Sequence, residues 1–113
     1  MKTWTLRFRE IDKKNFDQVK SGLKSVETRA ATVKYQPIKT GDELIFVCGK
    51  ERFAKKVVDR KHFSSIDSMV KEIPLKKIMP DVKSLAEMRK VYSSFTDYDQ
   101  KIKQFGILVF MLR

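Results

Sequence analysis

Gly22-Leu23-Lys24-Ser25-Val26-Glu27-Thr28-Arg29 is the stretch on which the reading of this chain turns. Gly22 follows a helical pattern, and a glycine just past a helix takes the left-handed conformation at little cost. The period then changes. Val26 and Thr28 alternate with Ser25, Glu27 and Arg29, which reads as a strand from Lys24 to Arg29 with two chemically different faces. Lys24 stands at the mouth of that strand, free to lean toward either face. An ammonium, a carboxylate and a guanidinium held this close can orient a polar, planar ligand through charge-assisted hydrogen bonds. The plainer reading is that Glu27 and Arg29, two apart on one face, neutralise each other on a solvated surface.

Outward from this stretch the pattern is mixed. Upstream, Trp4, Leu6 and Phe8 alternate with Thr3, Thr5 and Arg7, a half-buried first strand. Asp12 is placed to cap a helix whose apolar positions are Phe16, Val19 and Leu23. Downstream, Ala31 to Thr40 is a polar loop holding Lys34, Tyr35 and Pro37, of a length often used for binding. Gly41-Asp42 turns into Glu43–Cys48, the most apolar strand and the expected centre of the sheet. A hairpin at Gly49–Arg52 returns through Phe53 to about Lys61. Lys55 and Lys56 are adjacent on that return strand, which implies an edge position or a bulge. Ser64-Ser65-Ile66-Asp67 opens one further helix and Ser84 another, the second with Glu87 three residues on in a capping-box pattern. A short turn at Leu75–Met79, a helix at Tyr98–Gln104 ended by Gly106 and an apolar strand at Ile107–Leu112 complete an α+β reading.

The totals bound the function. With 113 residues the expectation is one domain, 1–113, around a single modest core. Twenty-five Lys and Arg against 14 Asp and Glu give a formal net charge of +11, a field that draws nucleic acid, nucleotides or anionic lipid headgroups. No window is apolar enough to span a membrane and the N-terminus has no signal core, so a cytoplasmic protein is expected. One cysteine, Cys48, excludes an internal disulfide and reads as a buried structural thiol. One cysteine and one histidine, His62, cannot build an ordinary zinc site, and no metal or cofactor is expected.

Taken together, the motifs resemble a known family. Gly22-x-Lys24-x-x-Glu27-x-Arg29 is followed by Ile38-Lys39-x-Gly41-Asp42-x-Leu44-Ile45-Phe46, by Phe63-x-Ser65-Ile66, by Tyr92-Ser93-Ser94-Phe95 and by Phe105-Gly106-Ile107-Leu108. In this order they are similar to the ASCH domain family, a branch of the PUA-like superfamily, and to its small stand-alone bacterial-type members. The resemblance implies a mixed β-barrel of five or six strands with flanking helices, a cleft beside the Gly-x-Lys segment, and an RNA- or nucleotide-binding role.

One branch of the family resembles a bacterial amidohydrolase that deacetylates acetylcytidine. Its apparatus is a lysine in the Gly-x-Lys motif, a threonine three residues later and a distant acid. The lysine matches Lys24 and the acid aligns with Asp81, but Glu27 stands where that enzyme has threonine, which closes a covalent route through this position. The binding reading therefore leads: Lys24 on a phosphate or base carbonyl, Glu27 accepting from an amine or ribose hydroxyl, and Arg29 bracing Glu27 or meeting phosphate. Lys34 would add a further ligand contact from the loop. Trp4, Tyr35 and Tyr92 are candidates for stacking, and Lys55, Lys56, Arg60 and Lys61 for nonspecific phosphate contacts. The alternatives are hydrolysis of an acylated nucleoside, with Glu27 activating water beside Lys24, and a protein-interaction domain. A monomer is expected.

Overall fold

In the computed structural model, which describes residues 1–113, the alternating segments form five strands and the 3.6-period segments five helices. In chain order these are β1 (Thr3–Phe8), a single 3-10 turn (Glu10–Asp12), α1 (Lys13–Ser21), β2 (Val26–Ala30), β3 (Glu43–Cys48) and β4 (Glu51–Phe63). Then come α2 (Ile66–Glu72), α3 (Leu75–Ile78), α4 (Leu85–Ser93), α5 (Tyr98–Phe105) and β5 (Ile107–Leu112). The sheet order is β1-β3-β4-β5-β2. It is mixed: β1 runs parallel to β3, whereas β3–β4, β4–β5 and β5–β2 are antiparallel.

The long strand β4 shapes the molecule. Its first part, Glu51–Lys56, pairs with β3, and its last part, from Val57 to Phe63, pairs with β5. Val57 faces Leu112 and Asp59 faces Met111, so Val58 is an extra residue, a bulge that bends the strand and raises its twist. The sheet curls there into a half-barrel, leaving β1 and β2 as its two free edges.

The bend also divides the interior, so the expected single core is two. Inside the curl, Leu6, Phe16, Val19, Phe46, Leu108 and Phe110 belong to a cluster of 12 buried residues. On the other side of β5 and β2, Val26, Met69, Met88, Tyr92, Ile102 and Val109 belong to a cluster of 14. β5 feeds both, Leu108 and Phe110 to one side and Ile107 and Val109 to the other. A strand covered on both faces reads as a continuous apolar run rather than an alternation.

Several local expectations are corrected. β4, not β3, occupies the middle of the sheet, so Lys55 and Lys56 lie on a central strand and the bulge comes after them. Leu23 is 65% exposed and packs in no core. Asp12 holds the N-cap position of α1 without capping it, because its carboxylate accepts from Arg9 Nε at 2.8 Å. Ser84 caps α4 by accepting from Glu87 N, whereas the Glu87 carboxylate reaches past it to Lys83 N at 2.8 Å. Ser65 caps α2 reciprocally with Ser68. Cys48 is buried, and His62, at the exposed end of β4, donates from Nε2 to Phe105 O at 2.8 Å.

Candidate functional site

A cleft of about 280 Å³ opens where the half-barrel fails to close, between the two free edges. β1 and the residue after it contribute Arg7, Phe8 and Arg9, β2 contributes Glu27, Thr28 and Arg29, and α4, α5 and their connection contribute Tyr92, Phe95 and Tyr98. Side chains span the gap: the Arg29 guanidinium lies 5.1 Å from the ring centre of Phe8, and Arg9 lies 5.4 Å from that of Phe95. Both separations are in the range of cation–π attraction.

The floor is set by the stretch Gly22–Arg29. Gly22 takes φ +87° and its N–H donates to Val19 O, after which Lys24 N–H donates to Gln18 O at 3.0 Å. These bonds fold the chain back over the end of α1 and carry the Lys24 side chain inward. On β2, Val26 and Ala30 pack in the helix-side cluster, which turns Glu27 and Arg29 toward the opening. Side-chain exposure is 6% for Lys24, 5% for Glu27 and 14% for Arg29, so the solvated-face reading of the pair does not hold.

Glu27 is the centre of this arrangement. Its Oε1 accepts from Lys24 Nζ at 3.2 Å and from Thr28 N at 3.3 Å. Its Oε2 accepts from Arg29 Nη2 at 3.0 Å and from Arg29 Nε at 3.2 Å. A carboxylate has about four acceptor positions, and all four are filled. Burial pushes the Glu27 carboxyl up, but the Lys24 and Arg29 charges and their hydrogen bonds outweigh it and hold the group below its ordinary value. Burial likewise works against the Arg29 cation, and the Glu27 charge more than compensates, raising its pKa. The third Arg29 nitrogen, Nη1, donates to Tyr35 OH at 3.2 Å, and the guanidinium lies 5.5 Å from that ring's centre.

Behind the ions, Thr28 Oγ1 and Tyr92 OH are 2.5 Å apart. Burial raises the Tyr92 pKa, so its hydroxyl stays protonated and polar without charge. Burial also raises Tyr98, partly opposed by Arg29. Lys24 has three N–H donors and spends one of them on Glu27. A buried ammonium with two unspent donors lines the cleft.

Of the residues singled out in the sequence, the structure brings Lys24, Glu27, Arg29, Tyr35 and Tyr92 together. The others lie elsewhere. Trp4 donates its indole N–H to Asp42 Oδ2 at 2.8 Å and packs against the cluster inside the curl. The Asp81 carboxylate accepts from Gln18 Nε2 at 2.8 Å and pairs with Lys14 at 3.2 Å, outside the cleft. Lys34 is exposed, with its ammonium 5.5 Å from the Tyr35 ring centre. On β4, Lys55 lies 5.9 Å from the Phe53 ring centre, Arg60 donates to Gln36 and Lys61 pairs with Glu72 at 3.8 Å. Lys56 is exposed on the same strand. Sequence reading missed Arg7, Phe8, Arg9 and Tyr98. The signal for the first three was positional: they end the strand that becomes the facing edge.

No three His, Cys, Asp or Glu side chains gather in a metal-holding group, and no helix is long and apolar enough to cross a membrane. No curated protein matches the sequence. Among solved structures, the crystal structure of hypothetical protein PH0355 has a TM-score of 0.84 at 30% identity, covering 100% of this chain and 98% of that one. The solution NMR structure of protein PF0455 from Pyrococcus furiosus has a TM-score of 0.75 at 26% identity, covering 100% of this chain and 96% of that one. The family model for the ASCH domain matches residues 10–111, and with the curled α+β sheet it answers the resemblance carried by the Gly-x-Lys and Gly-Asp motifs: the chain belongs to the ASCH domain family.

Proposed function

We propose that this domain binds RNA or a nucleotide and that the cleft between β1 and β2 receives the ligand. The observation that carries this is the charge balance of the buried floor: two cations, Lys24 and Arg29, share one carboxylate whose acceptor positions are already filled. Buried charge seeks a partner, and an electron-rich group entering the cleft supplies one. Glu27 then acts by aiming the two cations rather than by touching the ligand. The aromatic rings of Tyr35, Phe95 and Tyr98 offer surfaces for stacking, a sequence-tolerant way to hold bases. The net charge of +11 supports long-range attraction of a polyanion.

The test is anisotropy titration of labelled single-stranded RNA at two ionic strengths, with the unsubstituted protein and Lys24→Ala. Affinity is expected to fall steeply with salt, since each phosphate neutralised on a single strand contributes a log–log slope of about −0.7. Lys24→Ala is expected to weaken binding further at each salt. Salt-indifferent binding, or none at low salt, would count against the reading.

The hydrolytic alternative asks Glu27 to take a proton from water. A carboxylate held ionised below its ordinary value by Lys24 and Arg29 is a weak base, and Arg29 occupies both positions of Oε2. Incubation with acetylcytidine is expected to release at most a trace of cytidine, followed by chromatography. Robust turnover lost in Glu27→Gln would make this domain an amidohydrolase.

A further inference from the structure

We propose that the cleft takes its ligand phosphate-first and selects a terminal phosphate monoester, on a mononucleotide or at an RNA end, over the internal diester links of a strand. This deepens the RNA- or nucleotide-binding reading and rests on it. Burial grades the lining by depth. Lys24, Glu27, Thr28 and Tyr92 are buried, whereas the rings of Phe8, Tyr35, Phe95 and Tyr98 belong to half-buried residues. The ionic end of the cleft is therefore the inner one, and the belt of rings lies nearer solvent.

What the inner end has left unspent is mostly donor. Lys24 gives one N–H to Glu27 and keeps two. Arg29 gives Nε and Nη2 to Glu27 and Nη1 to Tyr35, which leaves two of its five N–H groups. The Tyr35 hydroxyl accepts from Arg29 and keeps its own hydrogen, and Tyr98 adds a second phenol. The Thr28 and Tyr92 hydroxyls, bonded to each other, have one O–H to spare between them. On the acceptor side, Glu27 is filled and Asp12 is paired through Oδ2 with Arg9 Nε at 2.8 Å. Asn15 carries an amide that both donates and accepts, so it suits either kind of group.

The pairing edge of every base mixes donors with acceptors and brings no charge to set against the two buried cations. A phosphate monoester brings three strong acceptor oxygens, and hydrogen bonds between ionised partners are the stronger kind. Its charge fits as well. Arg7, Arg9, Lys24 and Arg29 line the cleft against Asp12 and Glu27, an excess of two cations, and a monoester carries about −1.5 to −2 near neutral pH. A diester carries a single negative charge and has a sugar on both sides. At about 280 Å³ the cleft lies near the lower end of small-ligand pockets, roughly 300–1,000 Å³, which leaves no room for a phosphate flanked by two nucleosides. With the phosphate on Lys24 and Arg29, the one attached nucleoside extends outward to the rings.

The experiment is calorimetric titration of the unsubstituted protein at low salt with UMP, its methyl phosphate ester and uridine. It is repeated with hexauridylate phosphorylated at the 5′ or the 3′ end and with hydroxyl-ended octauridylate, which carries about the same total charge. UMP is expected to bind about tenfold or more tightly than its methyl ester or uridine. A phosphorylated hexamer that binds more tightly than the octamer identifies an RNA end as the source of the monoester, and UMP binding without that gain identifies a free nucleotide. Lys24→Met is expected to bring UMP and its ester to similar affinity, and the ratio in the unsubstituted protein decides the matter if that variant does not fold. The ester matching UMP would overturn the selectivity, uridine matching UMP would overturn phosphate-first entry, and a folded Lys24→Met that keeps the full ratio would overturn the placement on the floor. Salt-dependent RNA binding lost in Lys24→Ala, with UMP no tighter than its ester and no gain from a phosphorylated end, would remove this inference and leave the RNA-binding reading standing. Absence of binding by every ligand would remove both.

Discussion

Four N–H groups converge on the Glu27 carboxylate, so a neutral amide there presents an NH2 to at least one of them. Glu27→Gln strands Lys24 and Arg29 without their anion in a site of 14% side-chain exposure or less. We expect a loss of about 3–5 kcal/mol, read as a lower urea midpoint. The same carboxylate sets an acid limit. Its folded-state pKa is depressed, so the stability it contributes is present above the ordinary carboxylate value and is lost as pH falls through the lower folded value. Asp42 obeys the same sign. Hydrogen bonds from Trp4 Nε1, Lys2 N and Lys39 N hold its pKa at about 2. Asp42→Asn is expected to unfold more readily at neutral pH and to lose much of the steepening of acid unfolding between about pH 4 and 2, followed by circular dichroism. The sequence shows Glu27 and Arg29 on one strand face, because period-2 alternation is local. It does not show that they are buried: the cover comes from Lys24, from Phe8 of the facing strand and from Tyr35 of the loop.

At the scale of elements, local chemistry was legible and pairing was not. The serines before α2 and α4 announce their helices, and both accept from the backbone N–H three residues on. Ser65→Ala and Ser84→Ala are each expected to cost about 1 kcal/mol, measured by denaturant titration. Gly106 is stricter. It takes φ +84° between α5 and β5, and an added Cβ would lie 2.4 Å from Phe63 O. Backbone cannot yield as a flexible side chain does, so Gly106→Ala is expected to lower the melting temperature far more than Gly22→Ala, whose Cβ would meet nothing within 4 Å. The adjacent lysines at 55 and 56 signalled a bulge or an edge, yet the irregularity came at Val58 on a central strand. Period alone says that a strand has two faces and not which strands will flank it. β3 is as apolar as a central strand needs to be, and the centre went instead to β4, whose thirteen residues reach both halves of the sheet.

At the scale of the molecule, the +11 charge is a property of composition and was plain from the sequence, whereas its division between floor and surface required the fold. Lys55→Ala and Lys61→Ala are expected to weaken binding of every polyanion alike and to reduce the salt slope. A floor substitution is expected to change which ligand is preferred, and competition with heparin separates the two effects. The bulge at Val58 bears on this in a mechanical sense. The half of the sheet ending in β1 and the half ending in β2 meet at β4, so the bend there is a fixed elbow whose outer ends are the two jaws of the cleft. Deleting Val58 would remove the extra residue, leave Val57 and Asp59 as regular neighbours opposite Leu112 and Met111, and straighten the elbow. The aperture at the ligand is thus gauged by a residue that never touches it.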